Sequence, residues 1–307
     1  MKLKIFFLLI VLSFLFSCTS LPKSQKIIKY TSEDNQYWEL MVTKSKDEKI
    51  SILDSIKMSH SSLYNQIIKD ANDTILHTFW GQSLNFDSGV KKQIVSDQIN
   101  ADLHMAFGLF NDNKIVHAGV THTYGYLFSV IDTPYGYKRK RWIEPALNNA
   151  FSLKGQSLSP ETENGGLLSN ITYFTGMLAF KNKSDRLALR KLKNVSDEIK
   201  KIKYDSLTIL HLEEELIDFT LRTTLIKFPI KAIISENDFL LVYSILNHQL
   251  NKEFLITSFP ITNNAYLKIL SPDNLGDNRS VLIRYNAYLE GLMDQNLNGK
   301  RRLWSEK

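Results

Sequence analysis

Apolar side chains recur at Leu53, Ile56, Leu63 and Ile67 with polar residues between them, the spacing of an amphipathic helix over residues 52–68 that carries His60 as a partly exposed histidine. Residues 74–86 are rich in apolar and aromatic side chains, with Phe79 and Trp80 near His77, and fit either a strand or a buried helix. Asn111-Asp112-Asn113 is a turn signal between the apolar runs 107–110 and 115–120, which predicts a hairpin. The run VTHTYGYLFSVI at 120–131 reads as strand, and Thr133-Pro134-Tyr135-Gly136 as a type I turn. Glu144-Pro145 opens a helix with its body at 146–151, and residues 157–166 form a loop. Residues 181–203 hold nine basic residues with Leu187, Leu189, Leu192, Val195 and Ile199 between them, a basic helix whose charged face is solvated or meets anionic lipid headgroups. The short apolar runs LTILHL, FLLVYSIL, EFLITSFPI, AYLKIL and SVLIRY, with a helix at 210–223, complete a β-rich C-terminal half.

Helices and strands that do not alternate regularly predict an α+β fold, with a mixed, largely antiparallel sheet and flanking helices. The organisation that follows is a leader at 1–17, a polar tether at 18–36, an N-terminal lobe at 37–180, the basic connector at 181–204 and a β-rich C-terminal lobe at 205–307. One large domain in place of two lobes suits the length equally. A chain of 307 residues that is 43% hydrophobic buries a sizeable core, and its 13 Gly and 7 Pro argue against a low-complexity stalk.

The leader changes the picture most. Lys2 and Lys4 precede an unbroken apolar run at 5–12, and Leu15-Phe16-Ser17-Cys18 ends it with the one cysteine of the chain. This segment resembles a bacterial lipoprotein signal with its lipobox, although Phe16 is bulkier than is usual there. The resemblance covers residues 1–20 and implies cleavage before Cys18 and acylation of its thiol. Thr19 and Ser20, with no Asp after the cysteine, imply an envelope lipoprotein of the outer membrane. A cleaved secretory signal and an uncleaved anchor are the alternatives, the latter weakened by an apolar segment of only 12 residues, 5–16. With Cys18 lipidated no intrachain disulfide is possible.

Candidate chemistry concentrates in residues 104–180. If 133–136 closes a hairpin, Asp132 lies opposite Tyr137, and alternation places His122, Tyr124, Tyr126, Asp132, Tyr137, Arg139 and Arg141 on one face. Guanidinium forks, phenols and an imidazole suit an anionic glycan, a lipid headgroup or a partner protein, with Tyr124, Tyr126, Tyr137, Arg139 and Arg141 as the binding set. The same residues also fit a charged edge strand with ordinary β-formers. The enzymatic alternative is a hydrolase or transferase of envelope polymers with His122 and Asp132 or Glu144 as acid and base. Glu161 and Glu163 fall in a solvated loop, whereas Asn164-Gly165-Gly166 leaves backbone amides for an anion or merely permits a turn.

His117 and His122 are five apart and point to opposite faces of a strand, so they do not make a metal site unless a bulge intervenes at Gly119. Asp294, Asn296, Asn298 and Gly299 resemble the first half of an EF-hand loop, but Arg302 and Ser305 occupy later ligand positions. An Asn-Gly turn is the preferred reading there, with calcium the alternative and no other cofactor implied. No Gly-x-Ser-x-Gly elbow, Walker loop or dinucleotide fingerprint is present. Nucleic acid is a poor partner in the compartment that the leader implies.

Overall fold

The computed structural model describes residues 50–87, 92–109, 115–129, 132–133, 136–137, 146–160, 162–205, 207–229, 239–270, 287–290 and 300–302. The first amphipathic stretch is two helices, α1 (Ile52–Ser59) and α2 (Ser61–Ala71), that meet at His60, whose φ of −140° and ψ of 64° are non-helical. The run Ser59-His60-Ser61-Ser62 explains the break, since short hydroxyl side chains compete for backbone hydrogen bonds. Ser51 caps α1 by accepting from the Asp54 amide at 3.1 Å, and Asp102 accepts the Ile52 amide at 2.6 Å. The ambiguous segment that follows is a 3-10 turn, Leu76–Phe79, leading into β1 (Gln82–Leu84) and the short pair β2 (Phe86–Asp87) and β3 (Lys92–Gln93).

Next come α3 (Asp97–Ala106), capped by Ser96, and β4 (Ile115–His117). Among the described residues the expected hairpin at 107–120 is not found: Phe107 caps the end of α3, and β4 pairs antiparallel with β1, Gln82 opposite His117. Where a strand was expected at 120–131, the chain forms α4 (Ala118–Thr123) and a 3-10 turn, Gly125–Phe128. Every residue from 118 to 129 is buried, so burial on all sides overrides the β-propensity of Val, Thr and Tyr. Gly119 carries a second cause, because a Cβ there would come within 2.7 Å of the Trp80 ring. β5 (Asp132–Thr133) and β6 (Gly136–Tyr137) pair in the expected register, Asp132 with Tyr137 and Thr133 with Gly136. The helix after Pro145 also forms, as α5 (Ala146–Ala150).

The central helix α6 (Leu167–Ala179) was not evident from the sequence pattern, because all its residues except Met177 are buried and no polar face marks its period. Its hydroxyls are satisfied within the helix, Thr172 donating to the Leu168 carbonyl at 2.6 Å and Thr175 to that of Ile171 at 2.7 Å. The continuous basic helix divides into α7 (Lys183–Leu189) and α8 (Asp197–Lys200). Between them the Lys193 amide donates to Asp73 at 2.8 Å and the Asn194 amide group to the Lys69 carbonyl at 2.6 Å, which pins the chain to the end of α2. Leu189, Leu192, Val195 and Ile199 are buried, whereas Arg190, Lys191, Lys193, Lys200 and Lys201 face solvent.

The expected helix at 210–223 is a hairpin of β7 (Thr208–Glu215) and β8 (Phe219–Lys227), closed by the Leu216 amide donating to the Phe219 carbonyl at 2.7 Å. With β9 (Phe239–Asn247) and β10 (Lys252–Ile261) they form an antiparallel meander in the order β10-β9-β8-β7. The inner strands β8 and β9 are buried almost throughout, while β7 alternates as an edge strand does. The run AYLKIL, expected as strand, lies in α9 (Asn263–Ile269), followed by β11 (Ala287–Glu290) and β12 (Lys300–Arg302) in a second antiparallel sheet ordered β12-β11-β1-β4. The fold is therefore α+β, with one cluster of buried side chains running from Ile52 to Ile269 across both expected lobes.

Candidate functional site

The face expected to carry the chemistry is not assembled among the described residues. His122 lies in α4, not on a strand, and has no exposed surface. Its Nδ1 meets the Ile256 carbonyl at 2.6 Å. The β9–β10 register shifts between Leu255 and Thr257, so Ile256 is the extra residue of a bulge and its carbonyl is turned out of the ladder. A ring nitrogen facing a carbonyl must donate, which makes His122 a strut for that bulge. Tyr124 and Tyr126 are likewise buried, and their helical and 3-10 backbone removes the expected alternation. Asp132 and Tyr137 are described in the backbone alone. Cys18, Arg139, Arg141, Glu144, Asp294, Asn296 and Asn298 lie outside the described residues.

Tyr124 belongs instead to a buried carboxylate nest. Asp70, in the last turn of α2 and with no exposed surface, accepts from the Leu168 amide at 2.6 Å and from the Ser169 amide at 3.0 Å. The Ser169 hydroxyl donates to it at 2.5 Å, and the Tyr124 hydroxyl donates to the same carboxylate. These amides open α6, so a carboxylate complements the positive end of that helix. Burial pushes the Asp70 carboxyl up to about 6 against the pull of the four donors, and burial and the Asp70 charge together push the Tyr124 phenol well above its ordinary range. The amides after Gly165-Gly166 do hold an anion, and it is the chain's own.

A cleft of about 500 Å³ opens elsewhere, where the two sheets approach. Trp80 makes a parallel bridge with Leu255, and the Gly81 amide donates to the Leu255 carbonyl at 2.9 Å, which locks the entrance of β1 to β10. The Trp80 indole donates to Thr172 on α6 at 2.8 Å. On this frame the cleft is lined by His77, Gln82 and His117 on one side and by Asn247, Lys252 and Phe254 on the other. The His77 and His117 rings stand edge to face, centroids 5.5 Å apart, and His77 also abuts Phe107 at 5.6 Å. Burial lowers the pKa of His77, opposed by the Asp73 charge, and its Nδ1 is buried with no hydrogen-bond partner among the described residues.

Lys252 places its ammonium 5.0 Å from the Phe254 ring centroid, and burial lowers its pKa against the pull of Asp185. Among the described residues no carboxylate lies within ion-pair distance of Lys252. The cleft thus offers one partly desolvated cation, two imidazoles and two amides against aromatic walls. That inventory suits a small anion with an apolar or sugar body. Local spacing points His117 away from His122, and the β1–β4 pairing brings it to His77, forty residues earlier. Lys252 begins an edge strand after a turn and carried no local signal.

Among the described residues no three His, Cys, Asp or Glu side chains converge as metal ligands, and no helix is long and apolar enough to cross a membrane. The described residues define an α+β protein with a cleft between two antiparallel sheets. Comparison with protein-family models, with curated proteins and with solved structures finds no match to this chain.

Proposed function

We propose that this chain is a membrane-tethered envelope lipoprotein that binds an anionic glycan or headgroup, without turning it over, in the cleft of His77, His117 and Lys252. The observation that carries the reading is Lys252: an ammonium half withdrawn from water, with no described carboxylate within ion-pair distance, gains from an anionic ligand. The partly exposed Phe254 ring supplies an apolar wall for a sugar ring, and the cleft volume lies within the range of small-ligand sites. The lipobox-like leader supports the tether, with acylated Cys18 holding the body at the envelope, as its outer-membrane form implies.

Two experiments test the halves of this reading. Titration with glucuronate, and with glucose as the neutral control, followed by calorimetry, is expected to give saturable binding of the acid alone. Equal binding of both sugars, or of neither, overturns the anion reading. Cells fed labelled palmitate are expected to label the chain, and Cys18→Ser to abolish that label. Label that survives the substitution removes the tether.

A further inference from the structure

We infer that His77 and His117 form a binding site for a borderline divalent transition-metal ion of the Zn²⁺ class. The site goes beyond the anionic-ligand reading, although the two share a cleft. Imidazole nitrogens bind zinc at roughly 2.0–2.1 Å, so two rings on one tetrahedral ion stand with their centroids about 5 Å apart. The His77 and His117 centroids are 5.5 Å apart. The two rings come from a 3-10 turn, where the His77 carbonyl accepts from the Trp80 amide at 3.0 Å, and from the end of β4, where His117 pairs with Gln82, so the pair is held and not collapsed onto one flexible loop.

The second observation is the buried Nδ1 of His77, a cleft-lining residue, which has no hydrogen-bond partner among the described residues. Buried ring nitrogens are ordinarily satisfied, and a metal ion satisfies one that no protein donor or acceptor reaches. Gln82, opposite His117 across the β1–β4 pair, brings an amide oxygen to the same wall. Two imidazoles with an amide oxygen and water make an open site of borderline character, which favours Zn²⁺, Cu²⁺ or Ni²⁺ over Ca²⁺ or Mg²⁺. Open positions on such an ion accept an anion, which gives the metal and an acidic ligand a common place to meet.

The test is calorimetric titration of the full chain, made without a histidine tag and held in detergent, with Zn²⁺ as the probe. One equivalent is expected to bind in the micromolar range, and His77→Gln and His117→Gln are each expected to weaken it by about tenfold or more. Should either variant fail to fold, the unaltered chain still decides: Ni²⁺ is expected to broaden the imidazole signals of His77 and His117 alone among the seven histidines. No saturable Zn²⁺ binding up to millimolar concentration, unchanged affinity in both folded variants, or broadening of other histidines overturns the site and leaves the 5.5 Å contact as edge-to-face packing. Glucuronate binding is measured in chelator and Zn²⁺ binding without sugar, so either reading can fail alone.

Discussion

The Asp70 nest and the His77–Lys252 cleft are built from the same materials, polar side chains gathered from distant segments, yet they end in opposite states. In the nest one carboxylate meets two amides and two hydroxyls, and a Cβ on Gly166 would lie 1.9 Å from its oxygen, so there is no room for anything else. In the cleft, among the described residues, a cation has no carboxylate within ion-pair distance and a ring nitrogen has no hydrogen-bond partner, and about 500 Å³ stands open beside them. Polar groups matched by one another hold the fold together. Groups left unmatched around a space are where a ligand completes the structure.

The sharpest break of that contrast is Asp70→Ala. It leaves the first amides of α6 and the Ser169 and Tyr124 hydroxyls buried without their acceptor, and the expected cost is about 3–5 kcal/mol in urea unfolding. A loss below about 1 kcal/mol would mean that the nest is not a structural anchor. Asp70 also sets a pH dependence. Its folded carboxyl titrates at about 6 against an ordinary 3.8, so the folded state holds the proton more tightly than the unfolded state does. The Asp70 contribution is therefore fully favourable below about pH 4 and is lost as pH rises through about 6, by about 3 kcal/mol in all. The slope of stability against pH between 4 and 6 is expected to flatten in Asp70→Asn, whatever that variant's absolute stability. An unchanged slope would assign the titration to another group.

Legibility in the sequence followed the same division. The β5–β6 register, the helix after Pro145 and the β-rich C-terminal half were readable, because each rests on neighbours in sequence: a turn, a proline start, short apolar runs. The α4 and α6 segments were not, because a segment buried on every side has no polar face to reveal its period. The hairpin at 208–227 was mistaken for a helix because leucines at 210, 212 and 216 fit either period until the turn at Leu216–Phe219 is seen. Of the candidate residues, Tyr124 and His122 were noticed for their chemistry, but their partners, Asp70 and the Ile256 carbonyl, lie 54 and 134 residues away. His77 and His117 were each visible singly. Only the β1–β4 pairing makes them a pair.

Trp80 connects the two regions, so Gly119→Ala probes whether they are mechanically independent. The added methyl meets the indole ring at 2.7 Å, and a rigid ring held by Thr172 and the Leu255 bridge has little freedom to yield. Overpacking of this kind costs about 1–3 kcal/mol, and the expected companion effect is weakened glucuronate binding as the cleft wall shifts. Stability lost with affinity unchanged would show that Trp80 serves the core and not the ligand.

The smallest expected change in stability is also the most discriminating. Lys252→Met keeps the aliphatic stem that packs near Phe254 and removes only the ammonium, which forms no described ion pair. Unfolding free energy is expected to stay within about 0.5 kcal/mol of the unaltered chain, or to rise, because a half-buried charge has been taken away. Affinity for glucuronate is expected to fall by about tenfold, worth about 1.4 kcal/mol, while its dependence on salt weakens. Asp70 and Lys252 would then show inverse signatures: one group is costly to the fold when removed, the other to the ligand alone. If Lys252→Met instead destabilises the chain by as much as Asp70→Ala and leaves sugar binding untouched, the cleft is a second structural nest whose partner lies elsewhere in the chain.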